Sequence, residues 1–215
     1  MKSKYLNIQN QISINAVIAV LLGNNRHQIK SMEVSDFAVI DSPNLESIEE
    51  NRERWSIFGK KYWAFYRFIP HCDWFICQLN FPECLDFTEL INEASWFAKL
   101  PAENRLVTNL DDSSIQIDNH KAKITEFLNN GIEEFINEKK LVLLGKYDCD
   151  NLSILDGNHR FAALYEAYKL QRVKNLKVNA IVGLTYGNCR WFGDKEIWEE
   201  RPSNPNEKRY VLNIW

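Results

Sequence analysis

The clearest pattern of apolar positions lies between residues 152 and 168. Leu152–Leu155 is a short, mainly apolar run, which predicts a buried β-strand. Beyond it, apolar residues recur with the spacing of one face of an α-helix, at Phe161, Leu164, Tyr165 and Tyr168. The polar, glycine-containing segment Asp156–Arg160 separates the two patterns. The sequence therefore predicts a strand, a turn and a helix in direct succession.

Other segments after residue 100 alternate in the same way between strand-like and helix-like patterns. They predict strands at Asn104–Leu110, Leu141–Leu144 and Val178–Val182, a helix at His120–Phe127 that stops at Asn129-Asn130-Gly131, and a hairpin loop at Gly145–Asn151. This alternation predicts the α/β (α+β) class, with a mixed sheet and flanking helices.

The first hundred residues are rich in aromatic side chains and carry weaker patterns. The expected elements are a buried segment at Ala16–Leu22, a turn at Ser42–Asn44, a charged helix at Glu46–Arg54, strands at Tyr62–Phe68 and Trp74–Leu79 that pair with each other, and a helix at Phe87–Leu100. We therefore divide the chain into an N-terminal extension or subdomain at 1–100, a core at 101–184 and a C-terminal tail at 185–215 that packs on the core.

Composition and charge narrow the classes of protein. The chain has 215 residues, 45% of them hydrophobic, which is enough to form a substantial core. It carries 26 Lys and Arg against 29 Asp and Glu, a net charge of −3. A dedicated DNA-binding protein usually has a basic balance, so nucleic acid is the less favoured partner. The apolar segment Ile12–Leu22 is too short to cross a bilayer, so no membrane partner is expected.

The five cysteines do not follow the spacing of a disulfide framework or of paired zinc knuckles. They are Cys72, Cys77, Cys84, Cys149 and Cys189. The first three lie beside His71, so a metal site is the alternative, but we expect free thiols without bound metal. Reduced cysteines, and the lack of a recognisable secretory signal, predict a cytoplasmic protein.

The segment Asp156–Arg160 has the residue types of an anion site. The first N–H groups of a helix lie at the positive end of its dipole and can bind a phosphate together. Gly157 lets the backbone approach the anion, Asn158 and His159 add donors, and Arg160 can add a bidentate contact. Asp156 is a candidate cap, metal ligand or proton acceptor. In the alternative interpretation, the segment is an ordinary turn and cap in which Arg160 pairs with a nearby carboxylate.

The segment Ile154–Leu164 resembles the signature of the ParB/sulfiredoxin superfamily, in which a strand leads into Asp-Gly-x-His-Arg and then a helix. The resemblance covers about residues 101–184 and implies the fold of that superfamily. Asn158 occupies the position of the sulfiredoxin cysteine, so sulfinic-acid reduction is not expected. The loop is most similar to that of the free serine kinases, although related loops occur in DNA-modification systems.

This resemblance implies a small-molecule kinase that uses ATP or ADP with Mg²⁺ and a small-molecule acceptor. Gly157, Asn158, His159 and Arg160 would bind the phosphates, and Asp156 would bind the metal. Asp156, His159 and Glu103 are the catalytic candidates; Glu103 is chosen by its order along the chain, and Asp118 and His120 are the alternatives to it. A non-catalytic nucleotide-binding switch and a DNA-associated ParB-like protein remain the competing functions.

Overall fold

The computed structural model describes residues 4–29, 37–61, 71–89, 107–109, 118–129, 131–132, 139–148 and 150–186. These residues form two compact units. One unit contains the described residues up to Ile12 and those from Asp73 onward, and the other contains the described residues from Ser13 to Cys72.

The first unit is built on a mixed β-sheet. Its described strands are β1 (Leu6–Ile12), β2 (Asp73–Phe81), β3 (Thr88–Glu89), β4 (Leu141–Lys146), β5 (Leu152–Asp156) and β6 (Leu176–Thr185). They lie in the order β1-β2-β6-β4-β5-β3. The β4–β6 and β3–β5 pairs are parallel, and the other neighbours are antiparallel. The central strand β4 is buried from Leu141 to Gly145, which explains its unbroken apolar sequence.

The described α-helices are α1 (Ile14–Asn24), α2 (Arg26–Ile29), α3 (Ala38–Asp41), α4 (Ile48–Lys61), α5 (Asp118–Asn129) and α6 (Asn158–Lys169). Short 3-10 turns form at Leu85–Phe87 and Val107–Asn109. Among these described helices, none combines the length and the apolar character that spanning a bilayer requires.

The core of the first unit joins the sheet to α6, which also packs against α5. Phe161 and Leu164 on α6 are fully buried. The ring of Phe161 meets the ring of Phe81 edge to face, with 6.5 Å between centroids. This contact joins the periodic face of α6 to the end of β2 and fixes the helix on the sheet.

In the second unit, α1 packs against α4, and Val17, Leu21 and Leu22 are buried. The buried Arg54 of α4 donates hydrogen bonds to the carbonyl oxygens of Val39 and Asn44, both at 2.8 Å. These bonds connect α4 to α3 and to the loop that follows it, and they give the buried guanidinium of Arg54 the acceptors that it needs.

The structure confirms most of the predicted elements. The strands at Leu141–Leu144, Leu152–Leu155 and Val178–Val182 and the helix at His120–Phe127 are present, and α5 ends at Asn129 before Gly131, which has a φ of +83°. The buried segment Ala16–Leu22 is helical, and the charged helix begins at Ile48 and extends to Lys61. The α/β class with a mixed sheet is therefore correct.

Three of the predicted elements are wrong for the residues that the structure describes. Both edges of Trp74–Leu79 are paired, with β1 and β6, so this strand does not pair with Tyr62–Phe68, which itself lies outside the described residues. Phe87 ends a 3-10 turn and Thr88–Glu89 pairs with β5, so no α-helix begins at Phe87. Val107–Asn109 forms a 3-10 turn instead of a strand. In each case contacts distant in sequence outweigh the local pattern.

The sheet also crosses the boundary that we predicted at residue 100. β1, β2 and β3 come from the first hundred residues, yet they share one sheet with β4, β5 and β6. The region 101–184 therefore has its sheet neighbours in the segment that we set apart as an extension. Most of the tail at 185–215 lies outside the described residues.

Cys72, Cys77 and Cys84 carry free thiols, and Cys149 and Cys189 lie outside the described residues. Burial raises the pKa of the Cys77 and Cys84 thiols to about 12, so both stay protonated near neutral pH.

We expect a thiol reagent to modify the half-buried Cys72 well before Cys77 and Cys84, because the thiolate is the reactive form and burial keeps Cys77 and Cys84 protonated. Peptide mass mapping during labelling measures each rate. In denaturant the three rates should converge; a native Cys84 that reacts as fast as Cys72 would contradict the prediction.

Candidate functional site

The predicted strand, turn and helix are present at the loop Asp156–Arg160. β5 ends at Asp156, and α6 begins at Asn158 with Gly157 as its N-cap. Gly157 has a φ of +109°, a conformation that L side chains rarely adopt. A Cβ at this position would lie 2.4 Å from Cδ2 of Leu141. Glycine is therefore required here by the backbone conformation and by the closeness of β4.

The N-terminal end of α6 has the form expected of an anion site. The carbonyl oxygen of Gly157 accepts the bond from the N–H of Phe161 at 2.9 Å, and no side chain at the N-cap bonds to the first turn. Asp156, Gly157, Asn158 and His159 are all half-buried. The helix dipole adds a partial positive charge at this end. The dipole is therefore what favours an anion at this end of α6, because Leu141 and Arg160 already fill the space beside Gly157 that a Cβ would take.

Arg160 is engaged with the protein itself. Its side chain is buried, with the residue 6% exposed. Nη1 donates to the carbonyl oxygens of Lys139 and Lys140, the latter at 3.2 Å, and Nη2 donates to Oδ2 of Asp156 at 2.9 Å. Burial lowers the pKa of the Arg160 guanidinium, and the Asp156 carboxylate offsets part of this effect by raising it. Arginine keeps its charge in proteins, so the result is a buried, hydrogen-bonded ion pair.

This geometry differs from the bidentate phosphate contact that we predicted for Arg160. Both terminal nitrogens donate to protein acceptors, which is the alternative in which Arg160 pairs with a carboxylate. The guanidinium bridges the residues just before β4 to the end of β5. A buried cation needs such acceptors, because an unsatisfied charge in the core costs several kcal/mol, on the order of 3–5.

Two lysines that the sequence analysis did not single out lie next to the loop. Because Arg160 bonds to the carbonyl oxygens of Lys139 and Lys140, the backbone of this lysine pair lies against the guanidinium. Both lysines are half-buried. Consecutive lysines directly before the buried strand β4 were a visible signal in the sequence. Their ammonium groups can bind an anion as point charges.

Asp156 was predicted to bind Mg²⁺, and its surroundings fit that role poorly. Its Oδ2 accepts the bond from Arg160, and the guanidinium charge would repel a cation beside it. In the described parts of the chain, no group of three or more His, Cys, Asp or Glu side chains could hold a metal ion. The ion pair with Arg160 thus makes Asp156 a poor ligand for Mg²⁺ in this arrangement.

The remaining candidates lie apart from these contacts or cannot be placed. Glu103 is outside the described residues. Asp118 and His120 lie in the first turn of α5, the helix that packs against α6, but only their backbone is described. His159 is the second residue of α6 and is half-buried beside the loop. The structure thus brings Asp156–Arg160 together with Lys139 and Lys140.

Comparisons with family models, with curated proteins and with solved structures gave no match to this chain. The function is therefore argued from the geometry of the loop and its neighbours.

Proposed function

We propose that this protein binds the phosphate groups of a nucleotide, ATP or ADP, at the N-terminal end of α6. The observation that carries the proposal is the direct succession of β5, Gly157 and α6, which places the N-terminal end of a 12-residue helix at a half-buried loop. This arrangement suits a phosphate because the helix dipole favours an anion at the N-terminal end of α6. The backbone of Lys139 and Lys140 lies beside this loop, against the Arg160 guanidinium.

The activity that we propose for this site is phosphoryl transfer to the hydroxyl of a small-molecule acceptor. The acceptor oxygen forms a bond to the terminal phosphorus, the bond from that phosphorus to the bridging oxygen of the leaving nucleotide (ADP from ATP, or AMP from ADP) breaks, and a base takes the hydroxyl proton. His159 and Glu103 are the candidates for this base. Asp156 is the weaker candidate, because its carboxylate already accepts the bond from Arg160.

Nucleotide binding without transfer is a second candidate function, and the same ion pair favours it. The one carboxylate within the loop is paired with Arg160 at 2.9 Å, so one of its oxygens is already engaged and is not available to a substrate hydroxyl. Release of ADP from ATP in the presence of candidate hydroxyl acceptors would separate the two functions. Saturable binding without turnover would support the non-catalytic one.

Asn158→Asp is the variant that tests the phosphate site. A negative side chain in the first turn of α6 should stabilise the fold by about 0.3–1 kcal/mol through the helix dipole. The same charge should repel a phosphate and weaken ATP or ADP binding by about tenfold to a hundredfold. Calorimetric titration measures the affinity, and a denaturant melt of the same sample measures the stability.

Asn151→Asp is the matched control. It introduces the same charge at an exposed position just before β5, at the opposite end of that strand from Gly157. This control should bind nucleotide like the unmodified protein. If the unmodified protein shows no affinity for ATP or ADP, the proposal fails. If both variants bind as tightly as the unmodified protein, the phosphates lie elsewhere.

A further inference from the structure

β1 lies at one edge of the sheet and exposes most of its length. Its one partner among the described strands is β2, so the other edge of β1 has no described strand beside it. The side chains from Asn7 to Gln11 are exposed on both faces, and Ile8 is 47% exposed. An uncovered edge presents backbone N–H and C=O groups that can pair with another strand.

The register shows which backbone groups face this edge. The N–H of Asn80 donates to the carbonyl oxygen of Tyr5 at 2.7 Å, which makes Tyr5 and Asn80 a hydrogen-bonded pair. In an antiparallel ladder, hydrogen-bonded and non-hydrogen-bonded pairs alternate. Counting three pairs along, Ile8 opposite Cys77 belongs to a non-hydrogen-bonded pair. The N–H and C=O of Ile8 therefore point away from β2, toward the open edge.

The charge pattern indicates what could pair there. Charged residues make up 26% of the chain, but Leu6–Ile12 contains none and also lacks proline. Edge strands of monomeric proteins commonly carry lysine or proline, which oppose strand addition. The polar residues of β1 are asparagine and glutamine, whose amides both donate and accept hydrogen bonds. Such a strand is complementary to a copy of itself, whereas surfaces bearing the net charge of −3 repel each other.

We infer that β1 pairs with β1 of a second copy of this chain, antiparallel and about a two-fold axis at Ile8. The two outward-facing Ile8 backbones then bond to each other, and the two exposed Ile8 side chains lie adjacent across the axis. The bulge between Ile8 and Asn10 lies next to this centre and increases the local twist of β1. This pairing is independent of the proposed nucleotide site.

Light scattering after size-exclusion chromatography, over roughly a hundredfold range of loading concentration, tests the pairing. The unmodified protein should be a dimer at the upper concentrations. Ile8→Lys and Ile8→Glu should each be monomeric, because like charges would face each other across the axis. An equimolar mixture of the two variants should form dimers again, since lysine then faces glutamate.

Leu170→Lys is the control, because Leu170 is also an exposed apolar residue, at 55%, but lies at the end of α6. It should leave the dimer intact. Circular dichroism should show the same secondary structure for every variant. A monomeric unmodified protein would overturn the inference, and so would an Ile8→Lys protein that remains dimeric. A mixture that stays monomeric would exclude the pairing of Ile8 with Ile8.

Discussion

Arg160→Ala should lower the free energy of unfolding by about 3–5 kcal/mol, the cost typical of breaking a buried ion pair. The side chains of Arg160 and Asp156 are only 7% and 19% exposed, so the remaining carboxylate would be poorly solvated. The carbonyl oxygens of Lys139 and Lys140 would also lose their donor. The variant should therefore detach the residues before β4 from the end of β5.

Urea unfolding followed by far-ultraviolet circular dichroism measures this loss. Arg160→Lys should recover only part of it, because an ammonium group cannot reproduce the planar fork of donors. Arg172→Ala is the control: Arg172 is exposed, and its loss should change stability by no more than about 0.5 kcal/mol. An Arg160→Ala protein as stable as this control would show that the ion pair does not support the fold.

The same variant bears on the proposed nucleotide site. Because the Arg160 guanidinium bonds to protein acceptors, the fraction of Arg160→Ala that remains folded should keep most of its affinity for ATP or ADP. If Arg160 instead contacted phosphate directly, the loss of that bond would weaken binding by about tenfold to a hundredfold. Calorimetric titration under stabilising conditions distinguishes the two roles.

Gly157→Ala should lower the free energy of unfolding by about 2–4 kcal/mol, from backbone strain and steric overlap together. The φ of +109° is unfavourable for any residue with a Cβ. The new methyl group would also lie 2.4 Å from Leu141 Cδ2 and 3.0 Å from Arg160 Nη2. Leu141 is fully buried, so it has little room to move away. A denaturant melt gives the loss directly.

Gly131→Ala separates the two causes. Gly131 also has a positive φ, +83°, but a Cβ there would have no neighbour within 4 Å. This control should cost about 1–2 kcal/mol from backbone strain alone. The difference between the two alanine variants then measures the overlap with Leu141 and Arg160. Equal losses of unfolding free energy in the two variants would show that Leu141 and Arg160 move aside for the new methyl group. Steric overlap would then contribute nothing to the cost of Gly157→Ala.

The sequence by itself determined the local structure around the loop. The run Leu152–Leu155 and the helical spacing from Phe161 to Tyr168 placed a strand, a glycine turn and a helix where the structure has β5, Gly157 and α6. Such predictions succeed because a strand and an amphipathic helix each impose their own period on nearby residues. The sequence analysis also gave the pairing of Arg160 with a nearby carboxylate as an alternative, and the structure identifies that carboxylate as Asp156.

The tertiary structure decided which strands are neighbours in the sheet and which backbone groups bond to Arg160. Every strand edge offers the same N–H and C=O groups, so the sequence of β2 could not show that β1 and β6, and not Tyr62–Phe68, lie beside it. For the same reason the bonds from Arg160 to the carbonyl oxygens of Lys139 and Lys140, some 20 residues earlier, had no signature in the local pattern. Side-chain periodicity records which face is buried, whereas backbone acceptors are alike at every residue and are assigned only when the chain folds.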